Sequence, residues 1–166
     1  MNVLLLKPDF HDRHSFVCGE GELDNYLKKY ALQDVKRNLT KVFVLEGKRS
    51  EEIVGYYTLS PLSFSKNEMK PELSQKLPRY PIPAILLGRL AVSIDYQKQG
   101  IGALLLMDAF LRVYQVSEES FGIYAIVVDA KNDNASSFYK HFGFTNFLDK
   151  KDRLFLPLEN IKALVS

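Results

Sequence analysis

The feature that most constrains this chain is a strand needing cover on both faces, followed at once by a helix that is apolar nearly all round. Ile85 to Val92 reads ILLGRLAV, apolar at both parities except for Gly88 and Arg89, the pattern of a strand buried on two sides. Beyond a turn-like stretch from Asp95 to Gln99, the residues Ile101, Leu104, Leu105, Leu106, Ala109, Phe110 and Val113 wrap most of a helical cylinder between Ile101 and Tyr114. Helices layered on a sheet satisfy both demands.

Other segments extend that layer. Val3 to Leu6 reads as a short first strand, and Leu23, Tyr26, Leu27, Tyr30 and Ala31 fall on one helical face. Val42 to Leu45 and Ile53 to Leu59 are β-formers separated by the polar Lys48 to Glu52, a hairpin signal. Ile123 to Val128 is the next strand, Asn134 to His141 a short helix that Gly143 can end, and Phe144 to Leu148 and Leu154 to Leu156 are last strands. Pro71 to Pro83 reads as a surface excursion. The order β-α-β-β-β-α-β-α-β, with room for one more strand, gives an α/β (α+β) chain with helices on a largely antiparallel sheet. At 166 residues and 46% hydrophobic, residues 1–166 are expected to form one domain.

Composition narrows function mainly by exclusion. Lys and Arg number 22 against 20 Asp and Glu, a formal net charge of +2, so a nucleic-acid partner must be argued from local clustering. Five cations, Lys28, Lys29, Lys36, Arg37 and Lys41, face one acid, Asp34, between residues 28 and 41; such a run suits phosphate contacts and equally a solvated helix face. Cys18 is the only cysteine and the histidines His11, His14 and His141 have no ligand spacing, so neither a disulfide nor a metal site is expected. Val3 to Leu6 is too short for a secretory or membrane segment, which makes cytoplasm the expected compartment. Nine Tyr and eleven Phe read as core rather than as a base-stacking platform.

Between the buried strand and the buried helix lies Gln97-Lys98-Gln99-Gly100-Ile101-Gly102. Main-chain N–H groups at a helix amino terminus attract phosphate, and glycine removes the Cβ atoms that would keep a diphosphate away. Lys98 adds a nearby positive charge. Glycines at such a point also serve close packing. A dinucleotide fingerprint would need a third glycine where Leu105 stands, and a Walker loop would need a GK[ST] that is absent.

The spacing Gln97-x-x-Gly100-x-Gly102 and, downstream, Asn132-x-x-Ala135-x-x-Phe138-Tyr139-x-x-x-Gly143-Phe144 together resemble the two signature elements of the GNAT acetyltransferase superfamily. The likeness extends to the subgroup of toxins that pair with ribbon-helix-helix antitoxins and acetylate aminoacyl-tRNA. It runs through Phe16-Val17-Cys18-Gly19, Leu23-Asp24-Tyr26-Leu27, Gly55-Tyr56-Tyr57-Thr58-Leu59-Ser60, Pro81-Ile82-Pro83, Leu87 to Val92 and Val128-Asp129-Ala130. Asn132 follows the general superfamily pattern and does not mark the toxin subgroup.

The resemblance implies a GNAT fold with about six to seven strands and about four helices. It implies acetyl-CoA held by Leu90, Ala91, Val92, Gln97, Lys98, Gln99, Gly100, Ile101, Gly102, Asn132, Ala135 and Phe138, with Tyr139 protonating the leaving thiolate. A phenol near pKa 10 is protonated at neutral pH and suited to that task. A main-chain N–H near Ala91 and Val92 would meet the thioester carbonyl. No general base stands out, which an α-amino acceptor with pKa of about 8 tolerates. Arg89, in an apolar strand, must reach an acid or a substrate phosphate; with Lys28, Lys29, Lys36 and Arg37 it forms the expected tRNA-binding set. The resemblance implies an antitoxin as a protein partner, and a homodimer is expected because doubling a modest basic patch better matches a tRNA. Acetylation of a small amine or a protein amino group is the competing activity, and non-catalytic acyl-CoA binding is a third possibility that Tyr139 argues against.

Overall fold

The computed structural model describes residues 2–166. Seven strands are β1 (Val3–Leu5), β2 (Lys41–Glu46), β3 (Ile53–Phe64), β4 (Ile82–Val92), β5 (Ala125–Asp129), β6 (Thr145–Phe147) and β7 (Lys150–Pro157). The helices are α1 (Gly21–Asn25), which continues through a π-helical turn (Tyr26–Tyr30) into α2 (Ala31–Lys36), then α3 (Pro71–Ser74), α4 (Ile101–Glu119), α5 (Asp133–His141) and α6 (Leu158–Val165). The strands join in the order β1-β2-β3-β4-β5-β7-β6, antiparallel at the β1/β2, β2/β3, β5/β7 and β6/β7 pairs and parallel between β4 and β5. This is the mixed, mostly antiparallel sheet expected. No helix among the described residues is long and apolar enough to cross a membrane.

The chain divides into two compact units, Met1–Ser60 with Gly88–Ala109, and Pro61–Leu87 with Phe110–Ser166. In the first, the expected hairpin pairs Lys41 with Leu59 through Glu46 with Ile53, with a register shift at Leu45/Glu46. Its core gathers Phe16, Leu23, Tyr26, Leu27, Ala31, Val42, Val44, Tyr56 and Ala91. The helical face predicted from the sequence holds except at Tyr30, which is 54% exposed. The π turn is the reason: the Ala31 N–H donates to the Tyr26 carbonyl five residues back, so Ala31 takes the inward position that Tyr30 would hold in a regular helix.

In the second unit, β4 and β5 pair in parallel from Ala84↔Ala125 to Leu87↔Val128, and β5 pairs with β7 over its whole length. Phe64, Met69, Ile82, Val127, Phe147 and Phe155 centre the core. Two helices here went unpredicted. The excursion from Pro71 contains α3, only four residues long, and α6 is too short at eight residues to display a period. With α1 through α2 taken as one, the helices among the described residues number five, against an expectation of about four. Burial of α4 is also more one-sided than its composition suggested: Leu105, Leu106, Ala109 and Phe110 are sealed, while Leu104 and Leu111 are exposed.

Candidate active site

In the first unit, β4 runs out through Leu90, Ala91 and Val92, of which Ala91 is buried. The chain then turns through residues 93–100 into α4, and several bonds fix that turn. The Ser93 N–H donates to the Val54 carbonyl at 2.7 Å, and the Ile94 N–H to the Val17 carbonyl at 2.8 Å. The Gln97 amide donates to the carbonyls of Cys18, at 2.7 Å, and Val92, at 2.9 Å. Gln97 therefore spends its donors on the main chain. Its role in this geometry is to hold the turn, and the turn presents the backbone.

Lys98 and Gly100 both lie in the left-handed region, at φ 64° and 80°. Left-handed residues at alternate positions are how a chain curls its N–H groups into an anion-binding concavity. A Cβ built on Gly100 meets nothing within 4 Å, so the space over that residue is open. Residues Gln97 to Gly100 are exposed. α4 begins with the Leu104 N–H donating to the Gly100 carbonyl at 3.1 Å, and its 19 residues align their dipoles with the positive end at this turn. A diphosphate fits these donors. Gly55 supports the same strand end: a Cβ there would lie 2.9 Å from the Ala91 carbonyl oxygen and 2.9 Å from Leu105 Cδ1, so only glycine lets β3 run this close to Ala91.

Arg89, half-buried on β4, answers the question its sequence position raised. Its guanidinium lies over the Tyr26 ring, 3.4 Å from the centroid, with Nη1 making a long 3.5 Å contact to the Thr58 hydroxyl. No carboxylate among the described residues pairs with it. Tyr26 donates its own hydroxyl to Asp34 Oδ2 at 2.8 Å, and burial, with Asp34 adding to it, raises the Tyr26 pKa.

The basic run forms a single surface. Lys28, Lys29, Leu32, Gln33, Lys36 and Arg37 line a depression of ≈ 460 Å³ together with Arg13. The spacing 28-32-36 beside 29-33-37 is two adjacent rows of one helix. Lys41 lies apart, on β2. Asp34, the one acid in the run, is turned to Tyr26. Arg13 donates to the carbonyls of Leu27 and Lys28 at 3.3 and 3.1 Å, both within the π turn. Nothing in the sequence singled out Arg13, which lies outside the periodic helix.

In the second unit, Asn132 caps α5, its Oδ1 accepting the Ala135 N–H at 2.9 Å. The motif's Asn and Ala are thus the two ends of a capping bond. Gly143, at φ 99°, closes the helix as expected. The Gly143 N–H donates to Lys140 O and the Phe144 N–H to Tyr139 O, the paired bonds of a left-handed helix stop. Between these ends Tyr139 is 7% exposed, its ring packed on Phe138 and Phe144, each 5.3 Å away between centroids. Burial raises its pKa, which keeps the proton on. No described residue hydrogen-bonds its hydroxyl.

The remaining titratable candidates are structural. His11, 4% exposed, accepts the Lys7 N–H at Nδ1 and meets Glu46 at 2.7 Å through Nε2. No metal-ligating cluster occurs among the described residues. Cys18 is buried and its thiol is pushed up to about 12, first by desolvation, so it is no nucleophile at neutral pH.

Residues 38–146 match the model of the acetyltransferase (GNAT) domain. The chain is 36% identical over 157 residues to a tRNA-acetylating toxin of Mycobacterium tuberculosis (strain ATCC 25618 / H37Rv), covering 95% of this chain and 92% of that protein. It is 27% identical over 168 residues to a probable toxin TacT of Sinorhizobium fredii (strain NBRC 101917 / NGR234), covering 96% and 92%. Among solved structures it is similar to AtaT complexed with acetyl-methionyl-tRNAfMet, with TM-score 0.90, 29% identity and 99% of both chains covered. It is also similar to a tyrosine-to-phenylalanine mutant of AtaT bound to the C-terminus of the antitoxin AtaR and acetyl-CoA, with TM-score 0.85, 28% identity, and 99% and 98% covered. A third likeness is to the AtaT–AtaR complex bound to DNA, with TM-score 0.82, 29% identity and full coverage of both chains. The chain belongs to the GNAT acetyltransferase family.

Proposed function

We propose that this protein is a toxin that transfers an acetyl group from acetyl-CoA to the α-amino group of aminoacyl-tRNA in the cytoplasm and so blocks translation. One observation carries the choice of acceptor. The family model spans residues 38–146, whereas the likeness to the tRNA-acetylating toxin spans 95% of the chain and takes in the cationic helix that precedes that stretch.

Acetyl-CoA, when bound, supplies the thioester whose acetyl group is transferred and whose sulfur leaves. The main-chain N–H groups of the Gln97–Gly102 turn hold the diphosphate, with Lys98 beside it and Gln97 fixing the turn's shape. Leu90, Ala91 and Val92 offer main-chain groups to the pantetheine arm, and an N–H at Ala91 or Val92 polarises the carbonyl. Asn132 and Ala135 set the axis of α5, and Phe138 packs beside Tyr139. Tyr139 gives its phenolic proton to the sulfur as the carbon–sulfur bond breaks and the carbon–nitrogen bond forms, while the amine's proton goes to solvent. Arg89, Lys28, Lys29, Lys36 and Arg37 hold phosphates of the acceptor.

The whole chain, residues 1–166, works as one acetyltransferase domain in a homodimer held in check by a ribbon-helix-helix antitoxin. The DNA-bound complex of the related AtaT with AtaR supports an antitoxin that binds DNA. The deciding experiment supplies labelled acetyl-CoA together with a set of charged tRNAs, polyamines and peptides. Label appears on a charged tRNA in preference to small amines. Efficient turnover of a small amine with no label on any charged tRNA overturns the assignment in favour of an ordinary amine acetyltransferase.

A further inference from the structure

Arg89 is an unusual cation for its surroundings. It projects from an apolar strand, is half-buried, and has no carboxylate partner among the described residues. A desolvated guanidinium costs free energy unless something offsets it. What offsets it here is an aromatic face: Tyr26 lies flat against Arg89 at 3.4 Å, and the ring quadrupole attracts the cation without neutralising its charge or occupying its N–H fork. Tyr26 is itself immobilised, 5% exposed within the core. Its ring lies parallel to the Tyr56 ring at a centroid separation of 6.5 Å, and its hydroxyl is tied to Asp34 at 2.8 Å. Asp34, the acid of this group, meets the phenol's oxygen while Arg89 meets its face. Tyr56 is fixed in turn, donating to the Leu23 carbonyl at 2.7 Å.

We infer that Tyr26 is a positioning residue for acceptor recognition: its ring holds Arg89 charged, unpaired and aimed, so that the guanidinium is free to grip one phosphate of the acceptor's single-stranded end. The inference rests on the reading of Arg89 as an acceptor-binding residue. It adds that a core aromatic on the first helix sets the affinity for the acceptor, and that the ring's electron-rich face, beyond its bulk, is what matters. A side chain of equal size without that face leaves the guanidinium free to swing.

The test uses the full-length protein, acetyl-CoA and charged tRNA, with initial rates taken over a range of salt. Arg89→Gln raises KM for charged tRNA and lowers the slope of log KM against log salt by about 0.7, the value for one phosphate on a single strand. Tyr26→Leu does the same although the arginine is still present, with KM for acetyl-CoA little moved, and Tyr26→Phe restores most of the loss. Combining Tyr26→Leu with Arg89→Gln adds nothing further. Because Tyr26→Leu removes core volume, phenylalanine analogues with rising fluorine content at position 26 provide a second series. They keep the shape and weaken the ring face, and KM for charged tRNA climbs stepwise with fluorination. If Arg89→Gln moves KM and the salt slope while Tyr26→Leu and the fluorinated series move neither, the positioning role is wrong and the acceptor reading of Arg89 stands. If Arg89→Gln itself moves neither, that reading falls and the inference with it.

Discussion

The turn before α4 and the helix α5 are both written in the sequence as short spaced motifs, yet they use their marked residues in opposite ways. In the turn, the one long side chain of the motif, Gln97, bonds the carbonyls of Cys18 and Val92, and the glycine at 100 stands back so that the backbone is what faces outward. In α5, Asn132 and Gly143 fix the two ends of the helix, and the backbone is spent so that one side chain, Tyr139, is held in place. One region presents main-chain dipoles and the other a single proton. Substitutions should therefore act on binding in the first and on chemistry in the second.

The largest effect expected is at the proton. Tyr139→Phe removes only the hydroxyl, so kcat falls by about 10²- to 10⁴-fold while the coenzyme Kd measured by calorimetry is nearly kept. A loss of binding as large as the loss of rate would erase the contrast between the two regions.

Next in size is the pH dependence. The acceptor amine, with a reference pKa of about 8, gains its reactive neutral form as pH rises, so kcat/KM climbs about tenfold from pH 6 to 7. Burial raises the Tyr139 pKa, and a raised pKa keeps the donating form populated at higher pH. The rate therefore stays on a plateau above pH 8 and does not fall before the ordinary phenol value of about 10. A descending limb centred near pH 8 would remove Tyr139 from the acid's role.

At the turn, Gly100→Val places a branched side chain at φ 80°, a strain of about 1 to 2 kcal/mol that the loop relieves by leaving its curled shape. The coenzyme Kd rises about tenfold or more, and kcat at saturating coenzyme changes far less. The smallest effect belongs to the cap. Asn132→Ala costs about 1 kcal/mol of stability, read as a lower Tm, with Asn132→Asp restoring most of it. If Asn132→Ala instead weakens coenzyme binding tenfold with no change in Tm, the Asn132 side chain touches the coenzyme and is more than a cap.

How much of this was legible in the sequence follows from how local each signal is. The strand ending at Val92, the helix that follows its turn and the glycine stop of α5 are set by near neighbours, and the existence of all three was readable; the extent of burial was not, since from Ile85 to Val92 only Leu87 and Ala91 are buried and α4 is sealed on one side only. The inward face of the first helix was readable at Leu23, Tyr26, Leu27 and Ala31 and failed at Tyr30 alone, because the π turn that carries Ala31 into Tyr30's place leaves no mark in the period. Arg89 was visible as an anomaly, but its partner was not: Tyr26 lies 63 residues away in the sequence and carried its own sufficient explanation as a core residue. Arg13 and the pairing of His11 with Glu46 were equally hidden, since both depend on how separate segments meet. Tyr139 was found by its motif, whereas its burial, which is what raises its pKa, could only come from the fold.

The claim on which the account rests is that backbone N–H groups beside Gly100 grip a diphosphate. Titration calorimetry of the wild-type protein with acetyl-CoA and with acetyl-pantetheine, which carries the thioester but lacks the diphosphate, tests it directly. If the backbone grips the diphosphate, acetyl-CoA gives clear heat, the truncated thioester binds more weakly by about a hundredfold, equivalent to about 2.7 kcal/mol, and in a Gly100→Val variant that gap narrows by about tenfold or more. Equal affinity for the two thioesters in the wild-type protein would contradict it.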